Sequence, residues 1–254
     1  MNASLSWALP QLPGPKLAAE DIHRVVTSLP KDLVAEIKAR GAVIVGGLIR
    51  AKIAGETVND IDLFAASEPA AQGLADAIVR AYGASARMFR TRNAYTVLAH
   101  PRVPVQVIHR WTYSNPEDLV ASFDFTVAQA AIWWHPSGKW QSLCSPDFYR
   151  DLAGRRLRYT FPARNEDAGG SILRVQKFLG RGYHISPEQL GNVIARLVSG
   201  VKPGTKFWDE GEQEKGKVLA GMLRHVDPLT VVDGLEPDND SMETPAPADP
   251  VEGA

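Results

Sequence analysis

The stretch VIVGGLIRAKIAGETVNDIDLF, from Val43 to Phe64, constrains the fold of this chain more than any other. GAVIVGG is a short β-branched apolar run between glycines and reads as a buried strand. LIRAKIAG reads as a short helix that Gly55 ends as a C-terminal cap. NDIDLFAA is the next strand. At the strand–helix junction, Gly46 and Gly47 let backbone approach a bulky anion, and the helix N-terminus there offers N–H groups and partial positive charge. Arg50, one turn into the helix, can reach the same anion as a bidentate donor. Asp60 and Asp62 are two apart on a strand, so both project to one side while Ile61 and Leu63 pack behind them. Two carboxylates this close repel, and they need a cation, a shared proton or solvent. Oxygen-only ligands suit magnesium (Mg2+), which keeps several waters and accepts phosphate oxygens. Singly, each element reads more readily as a turn, a solvated strand end or a surface arginine. In this order they combine a polyphosphate cradle with a metal site, and a metal-bound nucleoside triphosphate is the natural ligand.

The surrounding sequence predicts a mixed α/β sheet flanked by helices. Ala18–Arg40 reads as two amphipathic helices split at Pro30. EPAAQGLADAIVRAYG is a helix, and AYTVLAH and VPVQVIHRW form a hairpin. NPEDLVASF is a short capped helix, DFTVAQAAIWW is a strand, and GKWQSLC pairs with it across HPSG. Beyond Thr160 the pattern turns helical, with Ile172, Val175, Phe178 and Leu179 forming an apolar stripe beside a basic one. The expected organisation is an irregular arm at 1–17, a head domain at 18–162, a small helical neck at 163–233 and an acidic, proline-rich disordered tail at 234–254.

Composition excludes several classes. A formal net charge of −1 over 254 residues is not that of a bulk polyanion binder, so any nucleotide or RNA site must come from local charge. The single cysteine, Cys144, rules out an internal disulfide and a cysteine zinc cluster, and no disulfide-linked partner is expected. It reads as a small buried hydrophobe. The six histidines lack zinc-site spacing, and His109 reads as a strand-end residue. Trp133, Trp134 and Trp140 read as sheet-face residues rather than a base-stacking platform. GRRLR with Arg150 is a basic patch open to two readings, an RNA-backbone contact or a solvated edge. No signal peptide is apparent, and no window approaches the roughly 18 apolar residues of a membrane span. A soluble, cytoplasmic protein is expected.

On these residues the chain resembles the nucleotidyltransferase superfamily that includes DNA polymerase beta, and more closely the head and neck of bacterial-type CCA-adding enzymes and poly(A) polymerases. That family's signature, GG-x-x-R, about nine residues, then D-x-D, is matched by Gly46, Gly47, Arg50, Gly55, Asp60 and Asp62. Downstream, Asp124, Phe125 and Thr126 are similar to its R-R-D-F-T segment. Asp151, Leu152, Gly154 and Arg158 are similar to D-L-x-x-G-x-I-R. Ile172, Leu173, Arg174, Phe178 and Pro187 resemble its neck, so the likeness runs roughly from Ala35 to Leu190. It implies a template-independent nucleotidyltransferase that moves a nucleoside monophosphate from a triphosphate to an acceptor hydroxyl, here an RNA 3′ end, with release of pyrophosphate. By the resemblance Asp60 and Asp62 hold metal, and Gly46, Gly47 and Arg50 hold the triphosphate. Asp124 meets the ribose or completes the metal site, and Arg174 and Lys177 meet the nucleotide or acceptor.

The departures from the family are specific. Gln106 stands where the family's V-E-V strand has a third carboxylate, and glutamine carries no charge to bind metal or promote loss of the hydroxyl proton. Ser122 and Phe123 replace paired arginines, and Arg87, Arg90, Arg92 and Arg110 are candidates to compensate. Glu166 and Asp167 keep part of the neck's E-D-x-x-R, but its arginine is missing, so the family's base choice does not transfer. Little chain follows the neck, so the family's helical body and tail, which grip tRNA, are expected to be mostly absent. The alternative is a degenerate module of the same fold that binds nucleotide or RNA without catalysis.

Overall fold

The computed structural model describes residues 14–91, 93–162 and 169–224. Arg92, Glu166, Asp167 and the acidic tail from Gly234 lie outside the described residues. The elements are α1 (Ala19–Thr27), α2 (Lys31–Arg40), β1 (Val43–Val45), α3 (Gly47–Ala54), β2 (Ile61–Phe64), α4 (Glu68–Tyr82), β3 (Arg87–Arg90), β4 (Ala94–Leu98) and β5 (Val105–Ile108). They continue with α5 (Pro116–Ala121), β6 (Ala130–His135), β7 (Lys139–Cys144), α6 (Phe148–Ala153), β8 (Arg156–Leu157), α7 (Gly170–Gly180), β9 (His184–Ile185), α8 (Pro187–Ser199) and α9 (Glu212–Arg224). The caps explain several boundaries. Ser67, Asn115 and Ser186 each accept a backbone N–H at the start of α4, α5 and α8, with proline in the first turn each time.

Seven strands form one mixed sheet in the order β3-β4-β5-β2-β1-β6-β7. β2 and β5 run parallel, and the other neighbours run antiparallel. Alternation gives the sheet two apolar faces. Ile44, Ile61, Leu63, Val105, Val107 and Ile132 pack with Leu33, Ile37, Leu74 and Ile78 of α2 and α4. Val43, Val45, Phe64, Ile108, Ala131 and Trp133 pack on the opposite side with Leu119 and Val120 of α5. The larger cluster continues through Phe125 to Val175, Phe178, Tyr183 and Val193, so apolar packing crosses the Pro162 region. A separate parallel pair, β8 with β9, adds hydrogen bonding between the same segments. Residues Pro15 and Leu17 run beside β7, with Cys144 N–H donating to Pro15 O and Leu17 N–H to Ser142 Oγ.

Two expectations need correction, and one strand was not foreseen. The strand expected from Asp124 begins only at Ala130. Phe125 instead bridges Tyr159, and Thr126–Ala128 forms a 3-10 turn whose Thr126 hydroxyl donates to buried Asp151. Leu179 does not join the apolar stripe of α7. Its buried positions are Gly170, Ser171, Val175 and Phe178, the last three spaced i, i+4 and i+7, and Leu179 is 48% exposed. The edge strand β3 was not expected, because Arg87–Arg90 has exposed arginines at both ends and no buried alternation.

Candidate active site

The glycine pair, the two aspartates and Gln106 come together at one end of the sheet. β1 runs antiparallel to β2, so the end of β1, where Gly46 follows, lies beside the start of β2, where Asp60 and Asp62 stand. Gly46 has φ 59° and ψ −113°, a left-handed conformation that favours glycine. Its N–H donates to Ala130 O at 3.1 Å, and its carbonyl accepts the first hydrogen bond of α3 from Arg50 N–H. A Cβ at Gly46 would stand 3.3 Å from the Phe123 ring, whereas one at Gly47 would meet nothing within 4 Å. The backbone at Gly47 is therefore open to an approaching group. Gly46, the N-cap of α3, has no side chain of its own to cap the helix. That end presents its amide hydrogens and partial positive charge.

Ile61 and Leu63 face the larger core and Phe64 the smaller one, so Asp62 shares the Phe64 face and Asp60 continues that row. Asp60 is buried and Asp62 half-buried. Gln106, 1% exposed, sits directly across β5 from Asp62. Its amide Nε2 lies 3.5 Å from Asp60 Oδ2, a long hydrogen bond from a neutral donor. Thr96 is the next residue across, on β4.

Asp124 occupies a different position from the Asp60 and Asp62 row. It is buried, and its Oδ2 accepts from Ser171 Oγ and from Arg174 Nε, both at 2.7 Å. Asp124 thus ties the segment beside the glycine turn to the first turn of α7. Arg174 folds back over that turn, 3.1 Å from where a Gly170 Cβ would stand. Lys177 follows three residues later on α7 and is half-buried. Phe123 packs edge-on to Phe64 at 6.5 Å and covers Gly46, so the place of a family arginine is held by a ring.

Arg50 turns inward. Its Nε is 3.2 Å from Glu56 Oε2, and its guanidinium lies 4.9 Å over the Phe178 ring. Both side chains of that pair are nearly excluded from solvent. Glu56 also accepts from the Tyr183 hydroxyl at 2.7 Å and from Arg155 Nη1 at 3.5 Å. Burial, then the Glu56 bond, push the Tyr183 hydroxyl pKa up. The sequence reading missed Glu56. Its only signal is an acid directly after the left-handed cap at Gly55.

A second buried carboxylate, Asp151, anchors the 126–128 turn. Burial alone would raise its pKa. Hydrogen bonds from Arg158 and Thr126, with the charges of Arg158 and Arg150, outweigh burial and hold it below the usual range. The basic patch is largely committed to these pairs. Arg150 pairs with Asp147, Arg155 with Glu56 and Arg158 with Asp151, while Arg156 is exposed. Of the other candidates, Arg90 pairs with Glu68, Arg87 bonds backbone carbonyls, and Arg110 donates to Asn93. His109 contacts Thr91 O and stacks on Tyr95.

The donor set fits one magnesium ion. Asp60 and Asp62 supply oxygen only, and magnesium is characteristically held by one or two carboxylates plus substrate phosphates. Among the described residues no group of three or more histidine, cysteine, aspartate or glutamate side chains is placed to hold a metal without such help.

A mixed sheet with an open glycine turn and paired aspartates at its end places the chain among proteins of nucleotidyltransferase fold. A Thermotoga maritima CCA-adding enzyme complexed with tRNA superposes with TM-score 0.54 at 16% identity, over 71% of this chain and 46% of that one. A CCA-adding enzyme with CTP superposes with TM-score 0.53 at 15% identity, over 80% and 54%. By sequence the chain belongs to a more specific family, Gabija anti-defense 2, whose model matches residues 16–155. A curated relative, Gabija anti-defense 2 of Bacillus phage SPbetaL7, is 24% identical over 172 residues. The match covers 68% of this chain and 41% of that protein, so the chain spans less than half the relative's length. No helix among the described residues is long and apolar enough to cross a membrane.

Proposed function

We propose that this chain is a magnesium-dependent nucleotidyltransferase that moves a nucleoside monophosphate from a triphosphate to an acceptor, and that it works against the Gabija defence named in its family. The observation that carries this is the row of Asp60 and Asp62 beside the open turn at Gly47. The amides at the start of α3 would receive the triphosphate, as helix N-termini receive anions generally. Asp60 and Asp62 would hold the magnesium ion, which when bound neutralises triphosphate charge and aligns the α-phosphorus. Arg50 acts through Glu56, fixing α3 and its turn against α7. Asp124 orients Arg174, and Lys177 on the same helix meets the nucleotide.

The test is incubation with each α-labelled triphosphate, magnesium and an acceptor pool, comparing wild type with Asp60→Ala plus Asp62→Ala. Label transfer is expected only from wild type, and transfer that survives the double substitution refutes the metal assignment. A second reading, a nucleotide-binding module without turnover, is favoured by the neutral Gln106 in the aspartate row. Magnesium–triphosphate binding without transfer to any acceptor would establish it.

A further inference from the structure

We infer that the acceptor is a terminal phosphate, an oxyanion already ionised at neutral pH, rather than a sugar hydroxyl. This rests on the nucleotidyltransferase reading and replaces the RNA 3′-hydroxyl that the resemblance implied. A hydroxyl is a weak nucleophile until a base, a lowered pKa or a metal activates it. The third position in the site row, where such activation would be placed, is Gln106. It lies opposite Asp62, 3.5 Å from Asp60 and 1% exposed. Its amide can neither take a proton nor add charge to hold a second cation.

Among the described residues, the neighbouring groups outside the aspartate row do not replace it. The Asp124 carboxylate is engaged by Ser171 and Arg174. His109 is held at the end of β5 by the Thr91 carbonyl and the Tyr95 ring. Glu56 is enclosed by Arg50, Arg155 and Tyr183.

A terminal phosphate needs no such help. Its second pKa is about 6, so at neutral pH an attacking oxygen is already unprotonated. The same substitution that removes the activator also removes a negative charge that would repel an anionic acceptor. A single amide thus disfavours the hydroxyl and admits the phosphate. In the reaction a phosphate oxygen attacks the α-phosphorus and forms a phosphoanhydride. The bond from the α-phosphorus to the bridging oxygen breaks, and pyrophosphate leaves with the electron pair. No proton is taken from the acceptor, and nothing is oxidised or reduced.

The experiment uses the full chain with α-labelled triphosphates and magnesium. The acceptors are one oligoribonucleotide with a 3′-hydroxyl, the same chain with a 3′-phosphate, a 5′-phosphorylated chain with a 3′-deoxy end, and free nucleoside 5′-monophosphates. The phosphate-bearing arms separate a nucleic-acid end from a free nucleotide. Wild type is expected to label at least one phosphate acceptor tenfold or more over the hydroxyl end, in a product that resists phosphatase and yields to nucleotide pyrophosphatase. Gln106→Glu, nearly isosteric, is expected to reverse that preference. Manganese counting by electron paramagnetic resonance with a non-hydrolysable triphosphate gives a readout independent of turnover, with one ion per wild-type chain and two per variant. Hydroxyl-ended RNA labelled as well as phosphate acceptors, two ions on wild type, or no transfer despite magnesium–triphosphate binding would each overturn the inference. In the first two outcomes the nucleotidyltransferase reading stands, and in the third only the triphosphate site stands, if Asp60→Asn plus Asp62→Asn abolishes triphosphate binding. Absence of that binding in wild type overturns both.

Discussion

Replacing Glu56 by alanine separates a positioning role for Arg50 from direct contact with triphosphate. The Arg50–Glu56 pair has side chains only 6% and 9% exposed. Removing one partner of a buried pair costs about 3–5 kcal/mol, because the remaining charge is stranded. The Tyr183 hydroxyl, 2.7 Å from Glu56, loses its acceptor as well, worth about 1–3 kcal/mol. Arg155 is 3.5 Å away with a 43% exposed side chain, and water takes over its pairing at a cost of about a few tenths of a kcal/mol. These terms share one carboxylate and do not add. The expected loss is about 4 kcal/mol, read as a lower urea midpoint with an unchanged m-value. The combined change Arg50→Met, Glu56→Leu and Tyr183→Phe removes every stranded group. It should lie within about 1–2 kcal/mol of wild type, since well-packed apolar replacements of buried pairs are often neutral. The triple variant should also keep wild-type affinity for magnesium–triphosphate. A Glu56→Ala loss under about 1 kcal/mol would refute the burial reasoning. Loss of triphosphate binding in a stable triple variant would return Arg50 to the ligand.

The two glycines should respond differently to alanine. Gly46→Ala places a Cβ at φ 59° and 3.3 Å from Phe123, so thermal or urea denaturation should show a loss of about 1–3 kcal/mol. Gly47→Ala meets open space and should leave stability within about 1 kcal/mol while weakening triphosphate binding, measured by calorimetry. Asp151 has a folded pKa below its ordinary value of 3.8, so its stabilisation is present above that value and is lost as pH falls through the folded pKa. Asp151→Asn should therefore be less stable than wild type at neutral pH, with the gap narrowing below that value in acid-denaturation curves. Burial pushes the Cys144 thiol up to about 11, so iodoacetamide at pH 8 should label it only after denaturation, as mass spectrometry would show.

The parts of the fold legible in the sequence are those written locally. Gly55 as a left-handed cap, and Asn115 before proline, mark helix ends without reference to distant chain. The alternation Asp60, Ile61, Asp62, Leu63 assigns sheet faces because a strand has a period of two. The less legible parts depend on partners far along the chain. Asp124 meets Ser171 and Arg174 about fifty residues later, and neither spacing nor composition encodes that encounter. The segment Asp124–Thr126 opens the run DFTVAQAAIWW, which reads as one strand. It leaves the main sheet because Tyr159 and buried Asp151 offer it other partners.

The same distinction explains why the shared motif identifies a fold more readily than a substrate. Gly46, Gly47, Asp60 and Asp62 lie on adjoining β1, α3 and β2, and their geometry follows from that short unit. The layer around that unit is assembled from β5, the 123–128 segment and α7. In that outer layer Gln106 is neutral, Phe123 is a ring, and Arg174 is held by Asp124. Each change lowers or commits charge around the proposed metal and phosphate site. On the proposed reading, a family motif kept at the donor side with departures at the acceptor side is the pattern expected when one fold is turned to a different second substrate.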